Sequence, residues 1–170
     1  MGPVAEVHAQ TALLAHQRIA VEDTAVAAIR FVSGALGVIE ASTAVYPGYL
    51  KWIEIHGSAG SAVLEEEDLV KWDFAKKIKA DDAILHKMAN RKPSGGGAAD
   101  PAAIGIHGHV RQFQDVINAI SKGTKPLIDG PEGRRAVEII LAIYKSAETG
   151  RAVPLPLLSD PPLKARKADS

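Results

Sequence analysis

Glu54 and His56 lie two residues apart in the run Tyr49-Leu50-Lys51-Trp52-Ile53-Glu54-Ile55-His56. An extended backbone puts both on one face. A carboxylate and an imidazole so placed can work as general acid and base. The same spacing suits a cross-strand surface pair, and that plainer reading is favoured here. Tyr46 and Trp52 could line a sugar-sized pocket, although packing alone accounts for both.

His107-Gly108-His109 invites a metal reading. On a helix, residues two apart point to nearly opposite sides, so the two imidazoles cannot reach one ion. No carboxylate or third histidine lies at ligand spacing, and no metal is expected. His109, Gln112 and Asp115 are spaced three apart and form one helical flank. They could meet a polar ligand at a sheet edge, but a solvated flank is favoured. Gly95-Gly96-Gly97-Ala98-Ala99-Asp100 imitates a phosphate-binding turn poorly. It follows a charged stretch rather than a strand, and it ends in a carboxylate that repels phosphate. A hinge or lid suits it better. Arg134 and Glu138 form a structural i,i+4 pair, and His8 and His16 read as ordinary strand residues. No serine–histidine–acid order can be defended.

These residues must be positioned by few elements, because the chain has 170 residues. That length suits one domain with a tail, and cannot hold a complete dinucleotide-binding domain plus a substrate domain. Twenty basic residues balance twenty acidic ones, so no basic surplus favours nucleic acid. Cysteine is absent, which excludes disulfides, thiolate metal sites and cysteine nucleophiles. No apolar run reaches the roughly 18 residues of a membrane span. The N-terminus has neither the charge nor the apolar core of a signal peptide, so a cytoplasmic location is expected.

Residues 4–74 read as a meander of about six strands. Extended runs cover 4–15, 24–31, 36–46, 49–56, 61–64 and 69–74, with turns at Ser33-Gly34, Pro47-Gly48 and Gly57-Ser58-Ala59-Gly60. Residues 75–99 read as a long basic loop, with Ile84, Leu85 and Met88 pinning a short helical turn. Two helices follow. Asp100 and Pro101 start the first, whose apolar stripe is Ile106, Val110, Phe113, Ile117 and Ile120, and Gly123 stops it. Asp129-Gly130-Pro131 starts the second and Gly150 ends it. That helix is apolar on most sides, so an element is expected on either side of it. Residues 153–157 are extended but proline-broken, which fits an edge strand or a strap, and 158–170 read as a flexible tail.

The expected fold is therefore α+β. It has an open, predominantly antiparallel mixed sheet of about six strands, with two main helices on one face. In the third strand, Leu36, Val38, Ser42, Ala44 and Tyr46 share one face, and Ile39, Ala41, Thr43 and Val45 the other. Neither face is clearly wet, and two helices can cover only one. The uncovered face calls for a second copy of the sheet or another domain.

Three stretches resemble the Gfo/Idh/MocA oxidoreductases, the glucose–fructose oxidoreductase and inositol dehydrogenase group. They are residues 53–62 (Ile53-Glu54-Ile55-His56-Gly57-Ser58-Ala59-Gly60-Ser61-Ala62), residues 109–120, and residues 129–147 followed by Thr149-Gly150-Arg151-Ala152-Val153. Their order and spacing cover roughly residues 3–157. The resemblance is to the C-terminal domain, with its glyceraldehyde-3-phosphate dehydrogenase-like fold. It implies that NAD(P) and the catalytic lysine belong to an N-terminal Rossmann domain, and that the Asp/His pair lies on a helix before Pro3-Val4-Ala5-Glu6-Val7. No catalytic or cofactor-binding residue is then expected here. The resemblance further implies that Tyr46, His109 and the Gly95, Gly96 and Gly97 loop lie on the substrate side.

The resulting expectation is a substrate-binding and oligomerisation domain, residues 1–157, of an NAD(P)-dependent sugar or polyol oxidoreductase, inactive alone. Its expected partners are a second copy through the open sheet face, a Rossmann domain and a small sugar or polyol, with no nucleic acid and no membrane. A non-catalytic dimerising or ligand-binding module is the alternative. A lyase or isomerase using Glu54, His56 or His109 is a third reading.

Overall fold

The computed structural model describes residues 1–66, 68–90 and 106–159. Among these residues, seven strands and three helices follow in the order β1 (Val4–Ala12), β2 (Thr24–Phe31), β3 (Leu36–Ser42), β4 (Trp52–Gly57), β5 (Gly60–Glu65), β6 (Asp68–Phe74), α1 (Lys79–Ala89), α2 (His107–Lys122), α3 (Gly130–Thr149) and β7 (Val153–Pro154). The α+β class is as expected, and every described strand pairing is antiparallel. The strands fall into two hydrogen-bonded sets, β3-β2-β1-β7 and β4-β5-β6. The chain correspondingly forms two compact units, residues 1–44 with 110–170, and residues 45–109.

In the first unit, alternation along each strand sends every second side chain to the core. Val7 and Ala9 of β1, Ala27 and Ile29 of β2 and Val153 of β7 are buried with Ala142 and Ile143 of α3. Full burial of a valine or isoleucine contributes about 1.5–3 kcal/mol. The helical part of this cluster comes from α3.

α3 is defined at both ends as its sequence implies. The Asp129 carboxylate accepts from the Glu132 N–H at 3.0 Å, Pro131 sits in the first turn, and Gly150 takes the left-handed conformation at φ 65°. The expectation of an element on both sides of α3 is corrected. Val137 and Ile140, on the side away from the core, are exposed. Ser146, fully buried, ties the helix to the sheet. Its hydroxyl accepts from the Ala9 N–H at 2.8 Å and donates to the Arg151 carbonyl at 2.7 Å.

The second unit departs from the sequence reading at residues 75–99. Lys79–Ala89 is an eleven-residue helix rather than a turn within a loop. Asp81 at its third position accepts from the Ile78 N–H at 2.8 Å and from the Trp72 indole at 3.1 Å. One carboxylate therefore satisfies the helix start and anchors the helix to β6. Those two donors hold Asp81 below the usual carboxylate range. Asp100 and Pro101, read as the start of the following helix, lie outside the described residues, as do Gly95, Gly96, Gly97 and residues 160–170.

Gly60, where β5 leaves the turn, is a steric necessity. A Cβ there would stand 2.5 Å from the Asp73 carbonyl oxygen and collide with the Phe74 ring. Gly60→Ala is expected to lower stability by about 1–3 kcal/mol in urea unfolding. Gly133 in α3 has open space where its Cβ would sit. Gly133→Ala is expected to raise stability by about 0.5–1 kcal/mol in the same experiment.

Candidate functional site

The most extensive candidate surface is the sheet face turned away from α3. Strand register fixes its rows. Glu6 pairs across to Arg30 and then Leu36, His8 to Ala28 and then Val38, and Gln10 to Val26 and then Glu40. Leu36 and Val38 are 76% and 75% exposed. Glu6 and Arg30 form an ion pair at 3.2 Å, and the Thr24 and Ser42 hydroxyls meet at 3.0 Å along one end. The uncovered face is thus present, and it is more polar along β1 than β3 alone suggested. An apolar patch on β2 and β3 beside charged and hydroxyl-bearing residues is the pattern of an interface core and rim.

Beside this sheet lies a connection clamped by one carboxylate. Asp23, buried, accepts from the N–H groups of Leu14, Ala15 and His16 at 2.8–2.9 Å. The His16 ring and the Thr24 hydroxyl add contacts at 3.2 Å. These donors, led by the His16 and Ala15 N–H groups, hold its pKa far below the ordinary carboxylate value despite burial. Next to it the Tyr144 hydroxyl donates to Glu22 at 2.6 Å, and that carboxylate raises the phenol's pKa. Sequence reasoning missed Asp23. The available signal was an aspartate directly before the strand that starts at Thr24, the pattern of a side chain that caps a turn.

The second unit carries a polar row. Strand β4 alternates as read, and Trp52, Glu54 and His56 face β5 residues Glu65, Val63 and Ser61. The His56 ring touches the Ser61 hydroxyl at 2.9 Å through Nδ1 and the Glu54 carboxylate at 3.1 Å through Nε2. The Trp52 indole donates to Glu54. The His56 and Trp52 hydrogen bonds lower the Glu54 pKa. Serine, histidine and glutamate therefore do meet, which the sequence did not reveal. Their side chains stand in solvent, with His56 63% and Glu54 47% exposed. Such exposure screens their interaction and makes this a surface network.

Of the residues expected on the substrate side, Tyr46 lies in the connection between β3 and β4 and is 95% exposed. His109 lies in the first turn of α2. Asp115, on the flank of His109, has a structural task, since its carboxylate accepts from the Leu127 N–H at 2.7 Å and shapes the link to α3. Glu138, paired with Arg134 at 3.8 Å, also accepts from the Leu157 N–H at 2.9 Å. Among the described residues no three His, Asp or Glu side chains are placed to hold a metal. An open cavity of about 530 Å³ lies at the C-terminal end of α3, lined by Lys145, Thr149, Arg151, Pro154 and Leu157.

The described residues contain no Rossmann-type cradle for a dinucleotide. That kind of site places a strand, a glycine-rich turn and a helix N-terminus in succession. The one described strand-to-helix passage in that sequence order, β6 to α1, runs through Ala75-Lys76-Lys77-Ile78 without glycine. The Gly95–Gly97 run comes after the helix α1.

Among the described residues the fold is a helix-backed antiparallel sheet with one open face, unlike the parallel strand–turn–helix layout of a dinucleotide-binding domain. Comparison with known proteins agrees. The GFO/IDH/MocA C-terminal domain model matches residues 1–63. Myo-inositol 2-dehydrogenase of Thermotoga maritima is 28% identical over 163 residues, spanning 89% of this chain and 43% of that protein. The WlbA dehydrogenase of Bordetella pertussis, solved with NADH and UDP-GlcNAcA, is 34% identical with a TM-score of 0.74. That match covers 92% of this chain and 43% of the WlbA chain. An oxidoreductase domain protein of Kribbella flavida is 25% identical with a TM-score of 0.65, over 91% of this chain and 46% of that one. The chain thus resembles the C-terminal domain of the GFO/IDH/MocA oxidoreductases, with the family match falling on residues 1–63. It spans less than half the length of these relatives.

Proposed function

We propose that this chain is the substrate-side and self-pairing domain of an NAD(P)-dependent dehydrogenase acting on a polyhydroxylated ring substrate in the cytoplasm. One observation carries the reading: an open sheet face with exposed Leu36 and Val38, on a domain whose fold covers only 43% of an NADH-binding relative. Myo-inositol and UDP-GlcNAcA, the compounds in those relatives' names, both present ringed hydroxyls. Such groups are recognised by tyrosine, histidine and backbone N–H donors and acceptors. Tyr46 and His109 are the proposed substrate-side residues. Hydride transfer is assigned to a nucleotide-binding portion other than these residues.

The test is a redox assay. The purified 170-residue chain, given NAD+ or NADP+ with myo-inositol or UDP-GlcNAcA, is expected to form no NAD(P)H above a protein-free control. Sustained formation would overturn the proposal. It would also revive an acid–base role for the Glu54–His56 pair, which alanine replacement at either position would then identify.

A further inference from the structure

The open cavity at the C-terminal end of α3 is framed by that helix and the strap that leaves it. Lys145 and Thr149 stand one turn apart on α3, and residues 151–158 follow directly after the helix. Three hydrogen bonds fix the strap. The Ser146 hydroxyl donates to the Arg151 carbonyl at 2.7 Å, the Leu155 N–H to the Ala5 carbonyl at 2.9 Å, and the Leu157 N–H to the Glu138 carboxylate at 2.9 Å. Glu138 and Lys145 are seven residues apart, so they share one side of α3 and the strap returns along that side. The cavity is therefore held open by bonds to helix and sheet, not by the charges that line it.

Its walls are of two kinds. Pro154, Pro156 and Leu157 supply apolar surface, Lys145 and Arg151 supply positive charge, and no lining residue is acidic. Among the described residues neither cation has a carboxylate partner. Glu138 is taken up by Arg134 and the Leu157 N–H. The helix dipole does not account for Lys145 either, because it acts within the last turn and Lys145 precedes that turn.

We propose that this cavity binds a small organic anion, a carboxylate or phosphate carried on an apolar body. The Arg151 fork and the Lys145 ammonium would take the head group. The Thr149 hydroxyl already donates to the Lys145 carbonyl at 2.8 Å, so the two cations carry that recognition. The body would lie on Pro154, Pro156 and Leu157, losing water as it does. A volume of about 530 Å³ suits a small molecule. The proposal goes beyond the function proposed above and does not rest on it.

The probe is phenylbutyrate, titrated into the isotope-labelled 170-residue chain and followed by amide chemical shifts. Saturable shifts are expected at Thr149, Arg151, Ala152, Val153 and Leu157, at about millimolar strength. Phenylbutanol has the same body without the charge, and inorganic phosphate has charge without a body. Each should bind about tenfold or more weakly than phenylbutyrate. Phenyl phosphate identifies the head group: tighter binding than phenylbutyrate assigns a phosphate, weaker binding a carboxylate, and both support the site. Arg151→Gln and Lys145→Gln should each weaken phenylbutyrate about tenfold, and Lys145→Arg should retain most of the binding.

Absence of saturable shifts at these residues would overturn the proposal, as would shifts confined to α2 or to β1–β3. Phosphate or phenylbutanol binding as tightly as phenylbutyrate would overturn it as well. So would undiminished binding in a folded Arg151→Gln, Lys145→Gln double variant. The probe comparisons use the parent chain, so they decide the matter even if a variant fails to fold.

Discussion

Val38→Asp is expected to weaken self-association of the chain at least a hundredfold while leaving its fold intact. Val38 projects from β3 beside Ala28 of β2 and His8 of β1, and three-quarters of it is exposed. Two such sheets packed face to face would bring this row to the middle of the contact, about 10 Å from its mate. A carboxylate there would lose water without gaining a partner, which costs about 3–5 kcal/mol. A hundredfold change in dissociation constant corresponds to about 2.8 kcal/mol. Because the position is solvent-facing in the single chain, circular dichroism and urea unfolding at low concentration should be unchanged within about 0.5 kcal/mol. Sedimentation velocity over a concentration series gives the constant. A variant that pairs as tightly as the parent would remove the open face from the interface, and a parent that never pairs would remove self-pairing altogether.

Asp23 carries the second large effect. It is one buried carboxylate holding three consecutive backbone N–H groups. Asp23→Ala removes the acceptor and leaves those donors without their partner, so the melting temperature is expected to fall by several degrees. Asp23→Asn keeps one oxygen and should lose less.

The acid dependence follows from the lowered pKa. The unfolded chain, with an ordinary carboxylate, takes up a proton at higher pH than the folded chain does. Stability therefore rises with pH across that interval. The contribution is complete above the unfolded value near 3.9 and is lost as pH falls toward the folded one. Stability measured from pH 6 down to pH 2 should drop less steeply in Asp23→Asn than in the parent. Part of the slope should remain, because Asp81, Glu66 and Glu54 are also held below their ordinary values. An unchanged slope would show that the clamp contributes nothing to acid sensitivity.

The strands were legible from alternation, which in β1 follows burial, with Val7 and Ala9 buried and His8 and Gln10 exposed, and in β4 is present although both faces are exposed. Ile53 and Ile55 against Trp52, Glu54 and His56 is a period-two pattern that no helix would produce. The ends of α3 were legible for a different reason: Asp129, Pro131 and Gly150 each supply a local conformation or acceptor that a helix end requires. α1 was hidden because its apolar content is small and its start is stabilised by Asp81. Lysines flanking Asp81 and Asp82 made the stretch read as a charged loop. The exposure of the α2 stripe, Val110, Phe113, Ile117 and Ile120, was not legible at all. An amphipathic stripe states that one side avoids water, and the same residues would serve a core or a docking surface. The Glu54–His56–Ser61 contacts depend on register across the Gly57–Gly60 turn. Spacing within one strand could supply Glu54 and His56 but not their partner on the next.

In the function proposed for this domain, the nucleotide site of the dehydrogenase lies outside the described residues. The most direct measurement is a fluorescence titration of NADH with the purified 170-residue chain, carried to the highest protein concentration that stays in solution. No saturable change in NADH emission is expected at any concentration. A saturable change reaching one NADH per chain would contradict it.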